Sequence, residues 1–584
     1  MNANLAVAFP FVDELVACGL RHVCIAPGSR NTPLTLAFAA HPAIQVHSLL
    51  DERGAAFFAL GIAMATRRPA AVLCTSGSAV ANFFPAVVEA HMSGVPLLVL
   101  TADRPHELRH SGANQTIDQV HFFGSYALWS VDMALPEETP SALTLRNVRT
   151  TAARALAIAT GVRPGVVHLN FPFRKPLEPA ADELLPSAAP ADLRPHTFIT
   201  RGRLAPSSDD VAALLALIST HPRGAIVCGP ASMNTVADED LRRAVFAFAR
   251  ATGYPVFADP LSGMRTNDAP VVGAYDAMLG NGGPSFDPQL VLRIGAVPTS
   301  AALNSALAAA KPAHHIHIAE SGVWADDEHH ITWFLQANET LLLNELARLL
   351  PERMQSDESW LSSWQRTGRV AERSLRSACE HTWSDFSAVR AALDTLSPGA
   401  RVFVGNSLAV RHVDEFAPTL QMQIFGSRGA SGIDGNVSTA LGIAAGDPSR
   451  SVVAILGDVT TVHDLNGLLT MRREGIANAQ IVLLNNNGGA IFHRLPIARI
   501  DPPFTRLWIT PHDTNFAAAA QAFGLTYARV KNAHELRTRL REGVQIIEVN
   551  TDAQADQQAR RATRRTLQIT LNQAARLAYE ADGK

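Results

Sequence analysis

The chain is short of several things, and each shortage removes a class of function. Its five cysteines, Cys18, Cys24, Cys74, Cys228 and Cys379, are an odd number without a C-x-x-C pair. Three lie in apolar runs, where buried free thiol is the expected state, and such usage fits a reducing compartment. Charge of one sign is not in excess: 50 Lys and Arg against 53 Asp and Glu leave −3. Bulk electrostatics therefore gives no reason to expect nucleic acid or an anionic membrane as partner. No apolar run approaches the ~20 residues of a membrane span. The opening segment MNANLAVAFPFVDELVACGL lacks a basic n-region, so no signal peptide is expected and a cytoplasmic protein is. Catalytic signatures are absent too. No H-E-x-x-H, G-x-S-x-G or P-loop occurs, which leaves zinc hydrolysis, serine acyl transfer and P-loop NTP hydrolysis without support. The Gly229-Pro230 pair after Cys228 is no dinucleotide fingerprint.

What remains is an ordinary globular composition, 47% hydrophobic and 18% charged, over 584 residues. That length predicts several domains with large cores. Up to about Pro179, strand-like runs (His22–Ala26, Ile44–Leu50, Ala70–Thr75, Leu97–Thr101, Val166–Asn170) alternate with polar turns and helix patterns, one of which begins at Ala55. The alternation predicts a doubly wound parallel sheet. Pro176, Pro179, Pro186, Pro190, Pro195 and Pro206 then read as a linker. A second α/β segment, 207–350, carries Gly224–Cys228, Val256–Asp259 and Leu290–Gly295 as strands. It has few convergent polar residues and reads as largely structural. Pro351 to Glu380 is charged, helix-permissive and connecting. The third segment begins near Ser384, with strands at Arg401–Gly405 and Val544–Asn550, and closes on a polar helix pattern. The expected architecture is three doubly wound parallel-sheet α/β domains, at 1–179, 207–350 and 384–584.

The most informative stretch runs from Ser451 to Phe492. One apolar run ends at Gly457-Asp458, and another, Ile481 to Leu484, ends at Asn485-Asn486-Asn487-Gly488-Gly489. Asn486 stands 28 positions after Asp458. In parallel sheets, ligands bind beyond the carboxyl ends of strands. A carboxylate, an amide oxygen and a free backbone carbonyl near Gly488 form an oxygen-only set that suits Mg²⁺ shared with a diphosphate. The same residues also simply favour turns.

Other candidates stand at equivalent edges. Glu52 follows an apolar run, where an acid also serves a helix start. Arg30, Arg104, Arg411 and Arg428 each follow a predicted strand, and four guanidiniums at such edges suit carboxylates. Ser29 and Asn31 would cap a helix or bind an anion there. Ser76-Gly77-Ser78 would let a backbone approach a ligand or merely turn the chain. His463 is expected near a helix start, without a role.

Taken together, these residues resemble a known family. GD followed by NN after a gap in the late twenties is similar to the metal–diphosphate motif of thiamine diphosphate enzymes. The stretches PGSRNTPLTLA, DERGAAFFALGIA, TSGSAVANFFPAVVEA, LTADRP, GANQTIDQ, NSLAVR, SRGASGIDG and NNNGGAIF resemble the 2-succinyl-5-enolpyruvyl-6-hydroxy-3-cyclohexene-1-carboxylate (SEPHCHC) synthases of menaquinone biosynthesis. They cover both outer segments well and the middle poorly. The resemblance implies a pyrimidine-binding domain, a central domain and a diphosphate-binding domain. It implies a thiamine diphosphate-dependent transferase of the transketolase type. In it, 2-oxoglutarate loses CO₂ and the succinyl semialdehyde carbanion adds to isochorismate.

By position, the resemblance makes Glu52 the acid on the cofactor's pyrimidine ring, and Ile433 the apolar support of its bent shape. Asp458, Asn486 and the Gly488 carbonyl become ligands of Mg²⁺ (or Mn²⁺). Ser76, Gly77, Ile491 and Phe492 become further cofactor neighbours. Ser29, Arg30, Arg104, Asn114, Gln115, Ser407, Arg411, Arg428 and Leu495, with Ile491 and Phe492, line the substrate pocket. Glu52 and the metal ligands come from different subunits in the superfamily, which implies a homodimer or homotetramer. One departure stands out. Ala301 and Ala302 occupy places where the family tends to carry Lys or Arg, so Arg265, Arg293 or another cation must compensate, or the substrate differs. Rival readings are another thiamine diphosphate-dependent 2-oxo-acid decarboxylase or ligase, and a non-catalytic paralogue acting as a ligand sensor.

Overall fold

The computed structural model describes residues 2–181, 185, 194–231, 238–268, 270–351 and 357–581. Three six-stranded parallel sheets carry the fold. The first contains β1 (His22–Ile25), β2 (Gln45–Ser48), β3 (Ala70–Cys74), β4 (Leu97–Asp103), β5 (Ala127–Asp132) and β6 (Val166–Pro172), in the order 2-1-3-4-6-5. The second contains β7 (Gly224–Cys228), β8 (Val256–Ala258), β9 (Val271–Val272), β10 (Leu290–Ile294), β11 (His314–Ile318) and β12 (Trp333–Leu335), in the order 12-11-10-7-8-9. The third contains β13 (Arg401–Val404), β14 (Gln423–Phe425), β15 (Val452–Gly457), β16 (Ala479–Asn485), β17 (Tyr527–Val530) and β18 (Ile546–Asn550), in the order 14-13-15-16-18-17. The first and third sheets thus share one topology, reversing direction between their first and third strands. Crevices for ligands open at such reversals.

Strands buried on both faces read as continuous apolar runs, and β3, β4, β6 and β10 are buried at every position. The helices Ala3–Ala17, Thr32–Ala40 and Ala142–Ala159 cover one face of the first sheet through Phe11, Phe38 and Leu156. In the second sheet, Trp364 and Leu375 on the helix Glu358–His381 cover one face together with Leu567 and Leu571. These last two are the apolar side of the closing helix Ala553–Ala581, which sequence pattern had presented as polar.

The chain divides into two compact units. One is Met1–Arg201 with Ser427–Val452 and His463–Ala479; the other is Gly202–Gly426 with Val453–Val462 and Gln480–Lys584. Within the first, the helix Glu52–Thr66 lies along the helix Asn436–Gly446. Their approach requires glycine: a Cβ on Gly61 would stand 2.0 Å from the Thr439 carbonyl oxygen, and one on Gly442 2.0 Å from that of Phe58.

Several expectations need correction. The helix expected from Ala55 begins at Glu52, with Asp51 as its cap, accepting from the backbone of Arg53 and Gly54. His463 ends the helix Asp458–His463 rather than starting one. β5, β12 and β17 carry no strand expectation: Ser130 and Arg529 interrupt the apolar runs of β5 and β17, and β12 is only three residues long. Pro186 and Pro190 of the expected linker lie outside the described residues, and 194–207 forms neither helix nor strand. The middle segment is not poor in converging polar groups. Arg293, His315 and His317 are buried together on adjacent strands. All five cysteines are free, and Cys24, Cys74 and Cys228 are buried. Among the described residues no helix is long and apolar enough to cross a membrane.

Candidate functional site

In the second unit, β15 and β16 deliver Asp458 and Asn486 to one place because both strands run parallel and end at the same edge. Asp458 is 2% exposed. Its Oδ2 accepts the backbone N–H of Gly488 at 2.9 Å and of Asn486 at 3.2 Å, and its Oδ1 accepts that of Val459 at 2.7 Å. Burial pushes this carboxyl up, and the backbone donors pull against it. His512 places Nε2 3.4 Å from Asp458 Oδ2. Since the Thr514 N–H donates to His512 Nδ1, the neutral ring carries its proton on the side facing Asp458. Gly488 has φ +143, and a Cβ there would stand 2.2 Å from the Ile509 carbonyl oxygen, so only glycine fits.

Asn486 donates through Nδ2 to Asp385 Oδ2 at 2.9 Å, while its Oδ1 is buried without a donor. An unmet buried acceptor costs free energy, and a cation would meet it. Among the described residues no three His, Cys, Asp or Glu side chains converge as a metal site. A cation here would depend on one carboxylate, one amide oxygen and a backbone carbonyl, a hard-oxygen set that suits Mg²⁺. The residues present therefore fit the ion.

Ser407 (φ +67) precedes the helix Leu408–Phe416, and its carbonyl accepts from Arg411 Nη1 at 2.5 Å. Ile491 and Phe492 lie in the turn of helix Ala490–Arg494, and Leu495 is exposed. Burial, then the cations Arg560 and Arg411, push Arg494 down to about 10. Arg265 is removed as a compensating cation for Ala301 and Ala302. It is fully buried, ion-paired to Asp414 and bonded to the Tyr275 hydroxyl. Arg293 is 3% exposed, with Nε and Nη2 unpartnered. Ala301 and Ala302 begin the helix Ala301–Ala310, capped by Ser300.

In the first unit, the loops after β1, β3 and β4 carry Ser29-Arg30, Ser76-Gly77 and Arg104. Arg30 donates to the Phe173 carbonyl at 2.7 Å, but its buried Nε has no acceptor. Arg104 donates to Ser76 Oγ. Burial lowers the Arg30 guanidinium, and the neighbouring Arg104 charge lowers it further. Two close cations with a spare donor favour an anion. Gln115 donates to the Ser76 carbonyl at 2.9 Å; Ser29 and Asn114 are exposed. Asn31, near the start of its helix, makes no capping bond; its amide instead donates to the Ala26 carbonyl at 3.0 Å. Glu52 is half-buried, and its Oε2 accepts from Asn82 at 3.2 Å.

Arg428 and Ile433 lie on the loop Ser427–Gly435. A pocket of about 170 Å³ opens there between Phe57, Pro85, Glu89, Ala430 and Asp434. Sequence reasoning missed what supports this surface. Glu89 holds the loop backbone, and Gln119 accepts the Gly77 N–H at 3.0 Å. Asp385 and His512 were missed as well. None follows an apolar strand, so no local pattern marks them.

Two family models match the chain. Residues 6–122 match the N-terminal TPP binding domain of thiamine pyrophosphate enzymes, and residues 405–550 the C-terminal TPP binding domain. The chain is similar to the SEPHCHC synthase of Roseiflexus sp. (strain RS-1), 50% identical over 585 residues, 97% of this chain and 98% of that one. It is 42% identical over 587 residues to the SEPHCHC synthase of Halobacterium salinarum (strain ATCC 29341 / DSM 671 / R1), covering 96% of this chain and 97% of that one. The SEPHCHC synthase of Geobacillus kaustophilus (strain HTA426) is 41% identical over 563 residues, 94% of this chain and 95% of that one.

Proposed function

The chain belongs to the SEPHCHC synthase family of thiamine diphosphate enzymes, and on that premise we propose how its residues perform the reaction. It decarboxylates 2-oxoglutarate and joins the four-carbon remainder to isochorismate, in menaquinone biosynthesis. Bound thiamine diphosphate supplies the nucleophilic carbon and the sink for the electrons that CO₂ leaves behind.

The protein's part is orientation and charge. Glu52 holds a proton on a ring nitrogen of the cofactor's pyrimidine. Asp458, the free Oδ1 of Asn486 and the Gly488 carbonyl would hold Mg²⁺ (or Mn²⁺), which would in turn bind the diphosphate. Ser76, Gly77, Ile433, Ile491 and Phe492 would be the further neighbours of the bound cofactor, Ile433 as its apolar support. Ser29, Arg30, Arg104, Asn114, Gln115, Ser407, Arg411, Arg428 and Leu495 receive the substrates. The single observation that carries the substrate class is the Arg30–Arg104 pair, whose crowded charges and unmet Nε call for a carboxylate. Domains at 1–179, 207–350 and 384–584, a homodimer or dimer of dimers, and a cytoplasmic setting complete the reading.

Incubation with 2-oxoglutarate and isochorismate, with and without thiamine diphosphate and Mg²⁺, tests it. CO₂ and the adduct should appear only with the cofactor. Aldehyde or acyloin from other 2-oxo acids, without the adduct, would point to a different decarboxylase or ligase.

A further inference from the structure

An asparagine binds a cation through its oxygen only; turned over, the same side chain offers an NH₂ group that repels the ion. What decides the orientation of Asn486 is the neighbour at its other end. Nδ2 meets Asp385 Oδ2 at 2.9 Å, and only an NH₂ can face a carboxylate. Oδ1 is thereby left buried and unpartnered, beside the Asp458 carboxylate that accepts the Asn486 backbone N–H.

Asp385 is itself held rigidly. It is 2% exposed and begins the helix Asp385–Thr395, whose start is closed by reciprocal bonds between Ser384 and Ser387. Its other oxygen accepts from the Thr551 hydroxyl at 2.5 Å, and its own N–H donates to Asp556 Oδ2 at 3.0 Å. Only Oδ2 faces the amide; Oδ1 and the backbone N–H are tied elsewhere, so the residue is anchored independently of Asn486. Outer groups of this kind fix the geometry of metal ligands.

We infer that Asp385 is the positioning residue of the metal site: by accepting from Nδ2 it holds the Asn486 amide with Oδ1 toward the cation. This rests on the reading of Asp458, Asn486 and Gly488 as metal ligands. Asp385 touches neither cofactor nor substrate in this role and acts through the amide alone.

The test is calorimetric titration of Mn²⁺ into the full-length protein with thiamine diphosphate present, beside thermal unfolding of each metal-free variant. Asp385→Leu removes the acceptor and should weaken Mn²⁺ about 10–100-fold. Asp385→Asn keeps an oxygen for Nδ2 and can donate to the Thr551 hydroxyl, so its affinity should stay within roughly threefold. Asn486→Asp sets two carboxylates face to face and should bind poorly. The exchange Asp385→Asn with Asn486→Asp restores one carboxylate and one amide, and should bind at least about tenfold tighter than Asn486→Asp alone. If Asp385→Leu does not fold, this exchange carries the test. Wild-type affinity in folded Asp385→Leu, or an exchange no better than Asn486→Asp, overturns the inference. Absence of Mn²⁺ binding by the unsubstituted protein would instead overturn the metal reading, and the inference with it.

Discussion

Glu89 receives the backbone N–H of Gly429 at 2.9 Å on Oε1 and that of Ala430 at 2.8 Å on Oε2. Ser93 Oγ donates to the same carboxylate at 2.5 Å. A buried acid thus fixes the loop that carries Arg428 and Ile433. Glutamine at 89 would turn an NH₂ toward one of the two donors, an unmet pair that costs about 1–3 kcal/mol. Glu89→Gln should therefore melt lower and be cut faster by trypsin after Arg428. Protection equal to wild type at that bond would show that the loop does not depend on Glu89.

Glu52→Gln should keep cofactor affinity within a few-fold and lose turnover by about 10²–10⁴-fold, the usual range for a lost acid–base partner. The split between binding and rate is the informative part. Calorimetry with thiamine diphosphate and steady-state assay of CO₂ release measure the two sides. A near-normal rate would remove Glu52 from the chemistry.

Asp458→Ala leaves the N–H groups of Val459, Asn486 and Gly488 without their acceptor. Mg²⁺ and cofactor binding should fall together, and the 486–489 turn should lose order. Unchanged calorimetric affinity for cofactor and Mg²⁺ would contradict the metal assignment.

His168 predicts a pH dependence. Thr101 Oγ donates to Asn170 Oδ1, so His168 Nε2 donates to Thr101 at 2.8 Å, and buried Nδ1 has no partner. A second proton would have no acceptor. Burial, with His121 nearby, accordingly lowers this histidine to about 3 from 6.5. The neutral ring's contribution to stability is fully present above pH 6.5. It is lost as pH falls toward 3, at roughly 1.4 kcal/mol per pH unit, because only the unfolded chain takes the proton. Urea unfolding of wild type and His168→Gln at pH 7 and pH 5 should show their stability gap narrowing by about 2 kcal/mol at the lower pH. A gap independent of pH would mean that His168 takes its proton as readily in the fold as in the unfolded chain.

Gly61→Ala would force the helices Glu52–Thr66 and Asn436–Gly446 apart, since its Cβ falls on the Thr439 carbonyl. Overpacking of this kind costs about 1–3 kcal/mol. A lower thermal midpoint is expected, and a midpoint equal to wild type would mean that the helix pair yields without cost.

The sequence by itself determined the class of fold. Apolar runs such as Leu97–Thr101 and Ile481–Leu484 are long enough to bury both faces of a strand, and the polar turns between them place helices on either side. It also marked Asp458 and Asn486 as candidates, because ligands of parallel sheets bind beyond strand ends. Tertiary structure decided what sequence spacing cannot carry. Asp385 meets Asn486 across 101 positions and Glu89 meets Gly429 across 340, through bonds that leave no local pattern. Arg265 appeared as a spare cation in the sequence and is spent on Asp414 in the fold, where the carboxylate offsets the cost of burying its charge. Strand periodicity reports which face a residue takes; which partner waits there depends on the other strand, and that is settled only when the chain closes on itself.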